Sequence, residues 1–327
     1  MKIFVTGGCG YIGSHTVIQL LREGHKVVIF DNLETSSKEV LDRIYDLTGK
    51  KPTFIKGDLK NFKDIQSALT QDIDCVIHFA AYKSVVDSKK DPFRYFENNV
   101  IGTFNLLKAM EEKGVKNIVF SSSAAVYGNP EYQPVDENHP LNPLVPYATN
   151  KVCMEYMLKD FLNIGINSVA LRYFNAAGAD KSGKLGEDPD QLGNLIPRVF
   201  KASRGEYSLQ VRGIDLDTRD GSAVRDYVHV SDLADGHIKA VNWLLKQDSA
   251  CEVFNLCSGK GGTVLEVVNS VIKTTGRDFK YDIVDIEEGE AVTLTGSFEK
   301  AKKILGWEPT RSLDTIIEDT HRWYENN

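Results

Sequence analysis

Lys2-Ile3-Phe4-Val5-Thr6 is an apolar run of strand length, and Gly7-Gly8-Cys9-Gly10-Tyr11-Ile12-Gly13 follows it without a break. An apolar pattern at helical spacing then passes through Val17, Leu20 and Leu21 and closes at Gly24. Lys26 to Phe30 reads as a second strand, ending in Asp31. Strand, glycine turn, helix, strand and acid in this order describe a dinucleotide-binding unit. Gly7, Gly10 and Gly13 permit a tight turn and bring backbone amides at a helix N-terminus close to a pyrophosphate. Asp31 stands where a carboxylate accepts hydrogen bonds from the adenosine ribose, and its charge repels a 2′-phosphate, so NAD is expected rather than NADP. A glycine motif alone could be an ordinary tight turn; the two strands and the acid favour the binding reading.

The alternation continues. Thr53–Lys56 is a third strand, and Gly57-Asp58-Leu59 after it forms a turn suited to covering an adenine. Cys75–Phe79 is a fourth, running into Ala80-Ala81-Tyr82-Lys83. A long helix is expected over Pro92–Lys113, carrying Asn98 and Asn99 and stopping at Gly114. Asn117–Phe120 is a fifth strand that ends in Ser121-Ser122-Ser123, and Val169–Phe174 is a sixth. Strands alternating with helices imply a doubly wound parallel sheet, an α/β Rossmann fold. In such sheets ligands bind at the carboxyl ends of the strands, where the Gly7 turn, Asp31, Ala80, Ser123 and Asn175 fall. After Asn175 the pattern breaks into turn-rich pieces, with helices expected at Val230–Leu245, Val264–Thr275 and Leu313–Tyr324 and a returning strand at Phe254-Asn255-Leu256. The expected division is a binding domain over 1–175, joined by parts of about 224–257, and a smaller, interleaved α/β substrate domain over 176–327.

Composition narrows the function. The chain has 327 residues, 42% hydrophobic and 26% charged, as in a soluble globular protein. A formal net charge of −7 argues against nucleic acid, which selects for a basic footprint. No apolar run reaches membrane-spanning length, and with the first residues reading directly as a strand no signal peptide is expected. Cys9, Cys75, Cys153, Cys251 and Cys257 are scattered and odd in number, so neither a disulfide framework nor a metal site is expected, and the chain reads as cytoplasmic. His78 and His229 sit in apolar, strand-like settings and read as satisfied core histidines.

The chemistry is concentrated in Tyr147-Ala148-Thr149-Asn150-Lys151, which opens a helix after Pro146. Four residues apart, the phenol and the amine share one face. A free tyrosine loses its proton near pH ~10, and a neighbouring ammonium favours the phenolate. A tyrosine–lysine pair at this spacing also arises as a plain helix-surface pair, and Ser121–Ser123 could be only a polar strand end. Their joint placement at the mouth of a dinucleotide fold favours proton and hydride chemistry.

Taken together, Thr6–His15, Ser121–Gly128, Tyr147–Lys151, Arg172–Asn175 and Val224–Val230 resemble the UDP-glucose 4-epimerases, members of the extended short-chain dehydrogenase/reductases, over almost the whole chain. That resemblance implies interconversion of UDP-glucose and UDP-galactose through a transient 4-keto sugar, with NAD held throughout and a homodimeric assembly. It implies that Tyr147 takes the proton from the sugar 4-hydroxyl, that Lys151 bonds the nicotinamide ribose and lowers the tyrosine pKa, and that Ser123 hydrogen-bonds the 4-oxygen. Gly7, Gly10, Tyr11, Ile12, Gly13, Asp31, Asn32, Asp58, Leu59, Phe79, Ala80, Ala81, Lys83, Asn98 and Phe174 would line the NAD site, with Tyr147 and Lys151. Lys83, Asn175, Asn194, Leu195 and Arg225 would meet the nucleotide sugar beside Ser123 and Tyr147. By spacing alone Arg225 and Asp226 could instead be a plain ion pair.

Within this resemblance, Ala124-Ala125 follows Ser123 where 4,6-dehydratases carry an acid pair. Without a carboxylate there, elimination lacks its acid and base, and simple epimerisation fits better. Two positions depart from the family pattern. Glu287-Glu288-Gly289-Glu290 replaces an Arg-x-Gly-Asp segment, and Arg212 replaces an aromatic that would stack on uracil. Arg212 could stack in its place or supply the missing charge. The same UDP-hexose in a rearranged pocket, another nucleotide sugar, and an NAD-binding regulatory protein with little turnover remain as readings, with the first favoured. Leu294 leaves hexose against N-acetylhexosamine open.

Overall fold

In the computed structural model, which describes residues 1–286 and 291–327, six strands follow the expected order. They are β1 (Lys2–Thr6), β2 (Lys26–Asp31), β3 (Thr53–Lys56), β4 (Cys75–His78), β5 (Asn117–Ser123) and β6 (Asn167–Tyr173). A seventh, Cys251–Leu256, pairs with β6, so the sheet runs Cys251–Leu256, β6, β5, β4, β1, β2, β3. Every pairing in it is parallel.

Parallel strands covered on both faces carry continuous apolar sequence. Ile3, Phe4 and Val5 are fully buried, as are Cys75, Val76 and Ile77. Alternation sends Ile3 and Val5 to a core with Val17, Leu20, Leu233 and Trp307, and Phe4 to the opposite core with Leu106, Phe120 and Leu158. The chain leaves β1 for β2 and β3 on one side and returns to β4, β5 and β6 on the other. This reversal opens the crevice at the strands' carboxyl ends.

The helix expected over Pro92–Lys113 is continuous but not uniform. It runs as α-helix over Pro92–Tyr95, as π-helix over Phe96–Ile101, and as α-helix again over Gly102–Lys113. Such wide turns gather at functional sites, and this one contains Asn98 and Asn99. Residues beyond 176 build a third core from Phe200, Leu209, Val211, Val267, Val271, Ile316, Ile317 and Trp323. Short parallel strands Asn175–Ala177 and Tyr227–His229 connect that region to the end of β6.

Candidate active site

The glycine turn is defined by what it excludes. Gly7 adopts φ +69°, and a Cβ there would meet the Ala80 nitrogen at 2.7 Å. The turn after β1 and the loop after β4 therefore touch backbone to backbone. Helix α1 (Tyr11–Arg22) starts at Gly10 with no side-chain cap, leaving its first amides to an outside acceptor. A side chain at Gly10 would find only the Gly7 carbonyl, at 3.2 Å, so the turn forms an open cradle for an anion. Asp31, buried beside it, accepts from Cys9 N at 3.0 Å, Leu33 N at 2.9 Å and Ser36 Oγ at 3.2 Å. An ionised carboxylate has about four acceptor positions, which leaves one for a ribose hydroxyl. To achieve this Leu33 adopts φ 61°, a left-handed conformation that costs a non-glycine residue about 1–3 kcal/mol. The donor set and the cradle fit a dinucleotide.

Asn32 and Asp58 line an adjoining open groove of about 520 Å³ with Glu34, Lys56, Gly57 and Asp64, and the Asn32 amide donates to Asp58 Oδ2 at 3.3 Å. Leu59 turns inward instead, against Gly102. Ile12 packs on the first core, and the Phe79 ring lies 4.6 Å from that of His237. The Tyr11 hydroxyl donates to Gly178 O at 2.5 Å, joining α1 to the segment after residue 176.

The loop Ala80–Lys83 is held by Asn99 rather than Asn98. Asn99 is fully buried; its Oδ1 accepts from Tyr82 N at 2.9 Å, and its Nδ2 donates to Tyr82 O at 3.1 Å. Asn98 donates to Asn99 Oδ1 at 3.0 Å and acts at one remove. Outside this clamp, Tyr82 OH donates to Glu34 at 2.6 Å, Arg94 pairs with Glu34 at 2.7 Å, and the Arg94 guanidinium lies 4.3 Å over the Tyr82 ring.

Tyr147 stands in the first turn of the helix Pro146–Phe161, buried with Tyr82 and Tyr95. Burial pushes its pKa up to about 12, while a hydrogen bond with Ser123 pulls the other way. Lys151 lies 5.8 Å from the Tyr147 ring centroid and donates to Ser121 O at 2.7 Å. Its own pKa is lowered to about 7, chiefly by burial, against the opposing charge of Glu155. The phenol and the amine do share a helix face, but burial raises the phenol, and the group that opposes burial is Ser123 rather than the lysine. His78 and His229 are satisfied in the core. His78 bonds Thr6 Oγ1 at 2.7 Å and Thr103 Oγ1 at 2.8 Å; His229 bonds Asp319 at 3.1 Å and the Ser231 amide at 3.0 Å.

A family model described as GDP-mannose 4,6 dehydratase matches residues 4–320. A UDP-glucose 4-epimerase of Bacillus subtilis (strain 168) is 45% identical, the match covering 100% of this chain and 98% of that one. The crystal structure of a UDP-glucose 4-epimerase from Stenotrophomonas maltophila with bound NAD and formylated UDP-arabinopyranose superposes with a TM-score of 0.96 at 38% identity, covering 100% and 98% of the two chains. The UDP-Glc/GlcNAc 4-epimerase of Campylobacter jejuni is 33% identical with a TM-score of 0.87, covering 100% and 99%. This chain belongs to the UDP-glucose 4-epimerase family.

In this epimerase-family chain the dehydratase description of the broader family meets an obstacle at Ala124 and Ala125. Ala124 is buried and Ala125 packs against the Tyr82, Tyr95 and Tyr147 cluster, so neither position offers an acid. Of the substrate-side candidates, Asn175, Asn194 and Leu195 line one water-sized cavity of about 20 Å³ with Tyr11, Glu187 and Tyr227. The Tyr227 hydroxyl is buried there without a hydrogen-bond partner among the described residues. Arg225 lies on the short strand Val224–Arg225 and donates to Val224 O at 2.9 Å. Asp226 is buried and accepts from Ser258 N and Oγ, both at 2.6 Å, Gly259 N at 3.0 Å and Gly296 N at 3.2 Å, so its carboxylate anchors loops of the C-terminal region. Arg212 ends the strand Leu209–Arg212, half-buried. The Phe174 ring is buried among Ala124, Val126, Val152 and Cys257. The expected departure at Glu287–Glu290 lies outside the described residues.

Sequence reasoning missed Glu187. Its Oε1 accepts from Lys83 Nζ and from Asn194 Nδ2, each at 2.8 Å, so two candidate anion-binding groups meet on one carboxylate. Glu34 and Arg94, which engage the ring and hydroxyl of Tyr82, were missed as well. Glu34 follows β2 and Arg94 stands on the helix Pro92–Tyr95, 60 residues later, and no spacing rule connects them.

Proposed function

We propose that this chain inverts C4 of a UDP-hexose, interconverting UDP-glucose and UDP-galactose, with NAD as a resident cofactor. The observation that carries the reading is Tyr147, buried, hydrogen-bonded with Ser123 and sharing a helix face with Lys151 at the carboxyl edge of the sheet. NAD, when bound, supplies a reversible hydride acceptor for C4. Gly7, Gly10 and Gly13 seat its pyrophosphate on the start of α1, and Asp31 takes a ribose hydroxyl. Tyr147 removes the proton from the sugar 4-hydroxyl and returns it to the other epimer, while Ser123 orients the 4-oxygen. Lys151, when charged, favours the phenolate form of Tyr147. Asn175, Asn194, Leu195 and Arg225 hold the nucleotide sugar, with Arg225 and Lys83 serving the diphosphate and Arg212 the base.

Leu294 is in register with Arg225 and packs against the cluster of Ala124, Val126 and Phe174. An apolar wall beside the sugar end supports N-acetylhexosamines as a second substrate class, in line with the two sugars in the Campylobacter relative's name.

A homodimer is part of the proposal. Phe93 is 88% exposed, Ile101 51%, Phe104 47% and Tyr156 57%, all on neighbouring helices, an apolar face that a second copy would cover. Sedimentation should give a dimer, and Phe104→Glu should shift it to monomer. Among the described residues no helix is long and apolar enough to cross a membrane, and all five cysteines are free thiols, which supports a cytoplasmic location.

The test is incubation of purified protein with UDP-glucose and no added cofactor. UDP-galactose should form, and Tyr147→Phe should keep its NAD while losing conversion by about 10²–10⁴-fold. Undiminished conversion by Tyr147→Phe, or none of any UDP-hexose by holoprotein, would sink the reading.

A further inference from the structure

The face of the helix Pro146–Phe161 that carries Tyr147 and Lys151 carries a third group, Glu155, at the next step of four. All three are buried. Opposite them, three successive serines of β5 each engage one. The Ser123 hydroxyl bonds Tyr147, the Ser121 carbonyl accepts from Lys151 at 2.7 Å, and the Ser122 hydroxyl donates to Glu155 Oε1 at 2.5 Å. The Glu155 carboxylate also receives both arms of Arg172 from β6, Nε at 3.0 Å and Nη2 at 2.6 Å. Arg172 Nη1 donates to Tyr127 OH at 3.1 Å, and Tyr127 OH donates to Asn255 at 2.7 Å.

Isolated from water, a carboxylate tends to take up a proton. Here the carboxylate is satisfied instead by the bidentate guanidinium and the serine hydroxyl. A buried ion pair is seldom a net source of stability, so its presence one turn below the lysine asks for another purpose. The titratable and charged groups facing Lys151 and its phenol partner are Tyr147 and Glu155 on its own helix, His78 from β4, Tyr173 and Arg172 from β6, and Tyr95 from the helix Pro92–Tyr95. Glu155 alone in that set is an ordinary acid.

We propose that Glu155 is a positioning residue for the epimerase reaction, keeping Lys151 charged and aligned beside Tyr147 while Arg172 and Ser122 fix its carboxylate. The inference rests on the roles given above to Tyr147 and Lys151. Burial drives Lys151 toward its neutral form, and Glu155 is the charge that opposes it. A neutral amine cannot stabilise a phenolate, so removing Glu155 should move the alkaline limit of turnover.

The experiment compares Glu155→Gln, Glu155→Asp and the double variant Glu155→Leu/Arg172→Met with the parent holoenzyme. Two quantities are read: the pH profile of kcat, and the titration of Lys151 by NMR of 13C-labelled lysine, assigned through Lys151→Met. In Glu155→Gln both should move down by about one pH unit, within the range that a neighbouring opposite charge imposes. Glu155→Asp should restore much of the shift. The double variant leaves no lone buried charge, so it should regain thermal stability yet keep the lowered profile; a merely structural pair would predict recovery of both. If Glu155→Gln does not fold, the double variant decides. A parent-like Lys151 titration in either folded variant overturns the proposal. Because that titration needs no substrate, it answers the question even if no UDP-hexose is turned over, which separates this inference from the functional one.

Discussion

Gly13→Ala places one methyl group against backbone only. Gly13 is helical, so no left-handed conformation is at stake, yet its Cβ would press into the Gly7 carbonyl oxygen, with Gly8 Cα at 3.0 Å and Gly7 C at 3.1 Å. None of these is the end of a flexible side chain. The turn must open, and Gly7 is tied to Gly10 N at 3.1 Å through its carbonyl and to Phe30 O at 2.9 Å through its amide. Overpacking typically costs about 1–3 kcal/mol and a lost backbone hydrogen bond about 1 more, so the variant should be about 3 kcal/mol less stable. With about 2.1 cal/mol/K of unfolding entropy per residue, a chain of 327 residues should melt ~4 °C lower. The helix amides would also retreat from the pyrophosphate. Loss of one charge-assisted bond, about 1.5–3 kcal/mol, weakens NAD binding by roughly 10- to 100-fold. Differential scanning fluorimetry and NAD released on denaturation read the two effects. Gly193→Ala is the control, since among the described residues nothing lies within 4 Å of a Cβ there. If Gly13→Ala melts within a degree of the parent and purifies with full NAD, the close approach is not what the glycine provides.

The remaining predictions concern the surrounding groups. Lys151 titrates at about 7 in the fold against a usual 10.5, so between those values the unfolded chain holds the extra proton and stability rises with pH; Lys151→Met should flatten that slope and melt higher at pH 7, and an unchanged slope would refute the burial argument. Asn99→Leu removes both bonds to the Tyr82 backbone and leaves buried peptide groups unpaired, so it should cost about 2–4 kcal/mol, measured by urea unfolding. Glu34→Ala breaks the contacts with Tyr82 and Arg94; labelled NAD should exchange several-fold faster with Tm nearly constant, because exposed pairs contribute at most about 1 kcal/mol.

What the sequence disclosed was local. The glycine turn, Asp31 and the pair Tyr147–Lys151 are legible because their geometry follows from residue type and short spacing. That Asn99 clamps the Tyr82 backbone was not, because the π-helical turn over Phe96–Ile101 shifts by about a residue which side chain faces that loop. Lys83 reads as an anion ligand from its strand end, but its partner Glu187 arrives from 104 residues later. The phenol's pKa depended on burial, which no i, i+4 pattern carries. Phe174 falls at a site edge by position, while its ring is claimed by packing on residues scattered from Ala124 to Cys257.

The seventh strand sets an order on the chain's synthesis. Cys251–Leu256 supplies the outer neighbour of β6 along six residues, from Ser168 to Tyr173. Until a ribosome has passed residue 256, that edge is bare, and Asn255, the acceptor for the Tyr127 hydroxyl that meets Arg172, is missing. A nascent chain that already contains the glycine turn and the tyrosine helix therefore carries an open apolar strand edge, the kind that pairs with stray strands. The strand that covers this edge and the last partner of the Tyr127–Arg172–Glu155 group arrive together.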